Sequence, residues 1–153
     1  MRSLELKVPP PAVALVIAVL MWLLSLAAPA LGFAIPARFL LVIIFAVAGI
    51  AVSIAGVAAF ARAKTTINPT TPEKSSSLVN GGIYKVTRNP MYLGLLLVLT
   101  SWAISLSNPL PFLLLPVYML YINRFQIAPE ERVLNSLFGR DFAAYQSRVR
   151  RWI

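Results

Sequence analysis

FLLVIIFAVAGIAVSIAGVAAF, residues Phe39 to Phe60, decides the fold: 22 consecutive residues carry no charge. A helix needs about 20 apolar residues to cross a hydrocarbon core about 30 Å thick. A helix that is apolar all round must be buried in a large protein or in lipid, and a chain of 153 residues has too little protein to bury it. Gly49 and Gly56 stand among Ala46, Ala48, Ala51, Ser53 and Ala55. Such a small-residue face lets a neighbouring helix approach closely.

Working outward, Pro11 to Leu31 is a second uncharged run, of 21 residues. Its Ala28-Pro29-Ala30 resembles a small-residue cleavage site, but the run exceeds the roughly 7–15 residues of a signal peptide's apolar region. A third apolar run covers Met91 to Ser107, and a fourth covers Phe112 to Ile122 before Asn123 and Arg124. The Ser107-Asn108-Pro109-Leu110-Pro111 break between them reads as a tight turn, because proline cannot continue a helix. The fold predicted is an all-α integral membrane protein of about four transmembrane helices in two hairpins, followed by a C-terminal amphipathic helical segment. It forms one membrane domain over 1–153, with spans at 11–31, 39–60, 91–107 and 110–124. A cytoplasmic loop occupies 61–90, and interfacial helices occupy 129–152.

Composition agrees. Fifty-nine per cent of the residues are hydrophobic and 12% are charged, against about a quarter charged in a soluble domain. Fourteen Lys and Arg face five Asp and Glu, a net charge of +9. Thirteen of the fourteen fall in the N-terminal tail, the 61–90 segment and the tail after the fourth helix; Arg38 is the exception. Lys and Arg bias sets orientation in this way. Both termini are therefore expected on the cytoplasmic side of an inner or plasma membrane, and topology explains the basic excess without a nucleic-acid partner. The chain has no Cys and no His. That removes disulfides, Cys/His metal sites and imidazole-assisted nucleophiles, and no metal is expected.

Two stretches stand apart from this pattern. The polar segment Ala63–Asn80, rich in Thr, Ser and Pro, reads as a cytoplasmic loop. It leads into Gly81-Gly82-Ile83-Tyr84-Lys85-Val86-Thr87-Arg88-Asn89-Pro90-Met91-Tyr92-Leu93-Gly94, where Pro90 suits the first turn of a helix. By composition alone this is a loop, a helix start and interfacial tyrosines. The second stretch is Pro129-Glu130-Glu131-Arg132-Val133-Leu134-Asn135-Ser136-Leu137-Phe138-Gly139. Acids suit the start of a helix, yet two of the five acids stand side by side just past a membrane helix. Charge at that depth is costly unless it is paired or functional, and a cationic ligand would account for both. Beyond Gly139, the spacing of Phe142, Tyr145, Val149 and Trp152 predicts a short amphipathic helix on anionic lipid, or a lid over a site.

Together, Tyr84-x-x-x-Arg88-Asn89-Pro90-x-Tyr92-x-Gly94 and Glu130-Glu131-x-x-Leu134-x-x-x-Phe138-Gly139-x-x-Phe142-x-x-Tyr145 resemble the integral-membrane methyltransferases. That group includes the isoprenylcysteine carboxyl methyltransferases and the phospholipid methyltransferases. The resemblance implies S-adenosylmethionine as methyl donor, with S-adenosylhomocysteine as product, and a lipid-like acceptor reached through the bilayer. It places Tyr84, Arg88, Asn89, Pro90, Tyr92, Gly94, Glu130 and Glu131 around the cofactor. Catalytic roles fall on Arg88, orienting an anionic group, and on Glu131, the principal acid for the cofactor's ammonium. The family often has His where this chain has Asn89, so no titratable base is expected there. Two alternatives share parts of the pattern: a membrane sterol-type reductase using NADPH, which ends in a similar Arg-x-Pro-x-Tyr-x-Gly helix, and a membrane scaffold without catalysis. The acceptor's chemistry and the oligomeric state are not legible.

Overall fold

The computed structural model describes residues 5–63 and 77–153. Most of the polar Thr/Ser/Pro stretch expected as a loop lies outside the described residues. Regular structure among the described residues is helical throughout: α1 (Pro10–Ala27), α2 (Arg38–Ala63), α3 (Pro90–Leu106), α4 (Leu114–Ile122) and α5 (Ala128–Arg148). Three helical segments are long and apolar enough to cross a membrane, and α3 is a shorter apolar helix. Proline opens α1 and α3 within their first two positions, where its missing N–H costs nothing. Ser107, in the left-handed conformation, closes α3.

Contacts between loops define the two ends of the bundle. At one end Phe33 N–H donates to Ser107 O, the Asn108 amide donates to Ala28 O, and Arg38 donates to Ser107 Oγ at 2.8 Å. At the other, Leu6 N–H reaches Phe125 O, Gln126 donates to Val8 O, and Arg132 pairs with Glu5. The chain therefore traverses the bundle four times. Arg88, Arg124, Arg132 and Arg151 share the second end, opposite Arg38.

The α2–α3 contact rests on glycine. A Cβ on Gly49 would come within 2.6 Å of Gly94 O and 2.9 Å of Val98 Cγ2. A Cβ on Gly94 would fall on Ser53 Oγ and lie 2.5 Å from Gly49 O. Lipid tails are as apolar as leucine, so helices associate in a membrane through this kind of close backbone approach. Ser101 Oγ adds a hydrogen bond to Val42 O at 2.8 Å. On the other side of α2, Ile43, Val47, Ile50 and Ile54 are exposed to the surroundings. Gly56 lies against Pro90 at the start of α3, so the final turns of α2 rise beyond that helix. There Ala59 and Phe60 join Tyr84, Phe142, Tyr145 and Val149 in a cluster separate from the main core of Met21, Leu99, Tyr118 and Ile122.

The C-terminal part differs from expectation in two ways. No break separates the fourth crossing from the following helix: Leu110–Arg148 is one helical run of 39 residues. A π turn over Asn123–Ile127 joins α4 to α5. The physical reason lies in Pro129, which has no N–H and whose ring would clash with the carbonyl four residues back. That carbonyl, of Phe125, accepts Leu6 N–H at 3.0 Å. We take the fourth crossing as Leu110–Ile127, which leaves Glu130 and Glu131 just beyond it. Secondly, the helix ends at Arg148, and Val149 is extended (φ −124°, ψ 132°). Residues 149–152 fold back over the bundle end as an irregular tail. Gly139, at φ 46° and ψ −115°, kinks α5 in a conformation that favours glycine.

Candidate active site

The site is built where the segment before α3 meets the start of α5. Tyr84 lies in a 3-10 turn (Gly82–Lys85) and is buried. Its ring meets Phe60 edge-on at 5.5 Å, and its carbonyl accepts Tyr145 O–H at 2.7 Å. Burial, with the nearby Glu130 adding to it, pushes the Tyr84 phenol well above its ordinary range. The chain then turns through Thr87, Arg88 and Asn89 into Pro90.

Arg88 is almost buried, and three of its donor contacts are filled. Nη1 donates to Gln146 O at 3.0 Å and Val149 O at 2.6 Å, and Nη2 donates to Glu131 Oε1 at 2.7 Å. Its Nε is buried without a protein partner. Glu131 also receives both Nε and Nη2 of Arg151, at 3.0 and 2.6 Å. The carboxylate is thus shared by two guanidinium groups, a geometry that arginine's planar fork favours. Burial alone would raise the Glu131 carboxyl. Hydrogen bonds and charge from Arg151 and Arg88 outweigh it and hold the group below its ordinary value.

Glu130 has the opposite environment. Tyr92 O–H donates to its Oε2 at 3.1 Å, and no basic group pairs with it among the described residues. Burial pushes its carboxyl up to about 7; the Tyr92 hydrogen bond opposes this and the Glu131 charge adds to it. Two adjacent acids are therefore driven apart, one fixed as an anion and the other poised near neutrality. Such divergence is a mark of functional sites.

The remaining residues singled out by sequence go elsewhere. Asn89 donates from Nδ2 to Arg151 O at 2.9 Å, so it braces the tail. Pro90 and Gly94 face α2 at Gly56 and Gly49 respectively, where they pack the bundle. Tyr84, Arg88, Tyr92, Glu130 and Glu131 are the ones brought together. Sequence reasoning missed Thr87, fully buried with its hydroxyl on Arg151 O at 3.0 Å, and it missed Arg151 itself. No periodic signal marks either. Arg88, Glu131, Gln146, Arg148, Arg150 and Arg151 line an open groove of about 600 Å³.

The phospholipid methyltransferase family model matches residues 37–141, more than half of the chain. The chain belongs to the phospholipid methyltransferase family. This membrane methyltransferase is also 31% identical to the Protein-S-isoprenylcysteine O-methyltransferase B of Arabidopsis thaliana over 77 residues, half of this chain and 39% of the plant protein. It is 48% identical over 63 residues to an uncharacterized protein of Haemophilus influenzae, 41% of this chain and all of that one. No solved structure matches it. The family match runs from the start of α2 through both acids and stops short of the tail.

Proposed function

We propose that this methyltransferase moves a methyl group from S-adenosylmethionine to a lipophilic acceptor drawn from the bilayer, at the basic end of the bundle on the cytoplasmic side. The observation that carries the reading is the convergence of the two motifs: Arg88 and Tyr92 touch Glu131 and Glu130, about 40 residues away in sequence. The residues fit the donor's amino-acid portion. Glu130 has a carboxylate with no cationic partner among the described residues, and Arg88 Nε is a buried donor without an acceptor. When bound, S-adenosylmethionine supplies a methyl carbon on a sulfonium, so alignment matters more than strong acid or base. Glu130 takes the ammonium and Tyr92 fixes the orientation of that carboxylate. Arg88, held by Glu131, offers its free N–H to an anionic group. A lipid acceptor reaches the site along the crossings, where α2 exposes Ile43, Val47, Ile50 and Ile54.

The assay is direct. Membranes containing the protein, given S-adenosylmethionine labelled in the methyl group, are expected to transfer label into the organic-extractable fraction. Label no higher than in membranes lacking the protein would overturn the reading.

Glu130 gives the reading a pH signature. A cation favours the ionised carboxylate, so affinity for S-adenosylhomocysteine is expected to rise as pH climbs through about 7 and then to level off. Binding near neutrality releases a proton, visible by calorimetry in two buffers of different ionisation enthalpy. Glu130→Gln removes both effects. Without ligand the sign reverses: the folded protein holds a proton between about 4.5 and 7 that the unfolded chain has lost, so stability falls with rising pH across that window. Thermal unfolding at pH 5 and pH 8 measures it.

A further inference from the structure

We propose that the C-terminal tail is a working wall of this site and that Arg151 is its positioning residue. The inference rests on the function proposed above and deepens it. Within the loop carrying Thr87, Arg88 and Asn89, Thr87 N–H donates to Ile83 O and Asn89 N–H to Thr87 Oγ1; the tail supplies the remaining anchors. Arg88 N–H donates to Arg150 O at 3.0 Å, and the Arg88 guanidinium reaches Val149 O at 2.6 Å. Thr87 Oγ1 and Asn89 Nδ2 both donate to Arg151 O, at 3.0 and 2.9 Å. One backbone carbonyl thus fixes the residues on both sides of Arg88.

The tail is held in turn by its side chains. Val149 is buried in the Tyr84–Phe142–Tyr145 cluster, and Trp152 packs on the main core and donates from Nε1 to Asn123 Oδ1 at 3.2 Å. Between them Arg151 grips Glu131 with two hydrogen bonds. Glu131 is therefore already filled by the protein's own cations. It locks the loop to α5, and Glu130 is left as the acid free to meet a ligand cation. A half-exposed arginine on a carboxylate is ordinarily worth little. Here the same residue carries the carbonyl that orients two buried donors, so the pair sets loop geometry.

The test uses the full chain in detergent, comparing wild type with Arg151→Ala, Arg151→Lys and Glu131→Gln. Hydrogen exchange of the Arg88 amide in ligand-free protein reads the clamp. Arg151→Ala and Glu131→Gln are expected to speed it by about ten-fold, since local opening governs exchange. Arg151→Lys, which keeps the charge, is expected to recover about half of the loss on a logarithmic scale. Calorimetry with S-adenosylhomocysteine reads the site: Arg151→Ala is expected to weaken binding and raise KM for the methyl donor by about ten-fold, with kcat changed less. Exchange and affinity both equal to wild type would overturn the proposal while leaving the methyltransferase reading intact. Tighter binding by Arg151→Ala would also overturn it, making Arg151 a competitor for Glu131. Failure of wild type to bind S-adenosylhomocysteine would overturn the cofactor reading, and the exchange measurement would still decide whether Arg151 positions the loop.

Discussion

Gly94→Val is expected to yield no monodisperse protein on detergent extraction. A Cβ at this position falls on Ser53 Oγ and 2.5 Å from the Gly49 carbonyl, and two of the atoms in the way are backbone or fixed to backbone. Side chains in a core can shift, but helix backbones facing each other yield only by separating. Overpacking of an ordinary core costs about 1–3 kcal/mol. Here the contact is also the main attachment of α2, because its other faces meet lipid. Separation would remove Ser101 Oγ from Val42 O and Gly56 from Pro90 as well. Gly94→Ala with Ser53→Gly removes one of the two obstructions and is expected to recover part of the yield. Gly81→Ala is the control: nothing lies within 4 Å of its Cβ, and the yield should match wild type. Gel filtration of detergent extracts measures all three.

Arg88→Ala is expected to cut methyl transfer by more than about 100-fold, which corresponds to about 2.7 kcal/mol or more of transition-state stabilisation. Unlike a surface arginine, Arg88 joins α5, the tail and Glu131 through one guanidinium. Its loss leaves two part-buried carbonyls, of Gln146 and Val149, without that donor and half-frees a carboxylate. Each buried group left unpaired costs about 1–3 kcal/mol, and Glu131 keeps Arg151, so a stability loss of about 2–4 kcal/mol is expected. Arg88→Lys should not rescue activity. A lysine ammonium cannot reach three acceptors in a plane, even though the charge is kept. Labelled-methyl transfer and thermal unfolding, run on the same preparations, separate the chemical loss from the structural one. Activity within a few-fold of wild type would show that Arg88 is only a brace.

The crossings were legible because lipid imposes a strict rule: uncharged length, with charge at the ends. Phe39–Phe60 and Pro11–Leu31 could be read on that rule alone, and the glycine face of α2 pointed to close packing before its partner was known. Adjacent acids in a chain with only five likewise drew attention to the candidate site. From sequence the cofactor's ammonium falls to Glu131, whereas the function proposed above puts it on Glu130, because Arg88 and Arg151 already fill Glu131. Glu130 and Glu131 are equal in sequence, and only the arrival of Arg88 and Arg151 from distant segments tells them apart. The tail defeated periodicity for a related reason. Val149 and Trp152 keep helical spacing from Phe142, yet Val149 is buried and Trp152 partly buried by an irregular tail folding back. Spacing alone does not distinguish a helical face from that route. Asn89 and Gly94 belong to a motif whose members serve different neighbours, and a motif read as a line does not say which side each residue faces.

Eight residues separate the lengths of α1 and α2, 18 against 26, a difference of about 12 Å at 1.5 Å per residue. Since Gly56 is level with the start of α3, most of that surplus stands at the end that carries Tyr84 and the acids. The helix is a post whose top sets how far the site sits above the hydrocarbon. A thicker bilayer would draw Ala59, Phe60 and Arg62 toward the acyl chains or force the helix upright, and a thinner one would tilt it. Acyl-chain length thus becomes a control on the height of the candidate site, and on how far the proposed lipid acceptor must rise to meet it. Methyl-transfer rates in vesicles of graded chain length are expected to pass through an optimum.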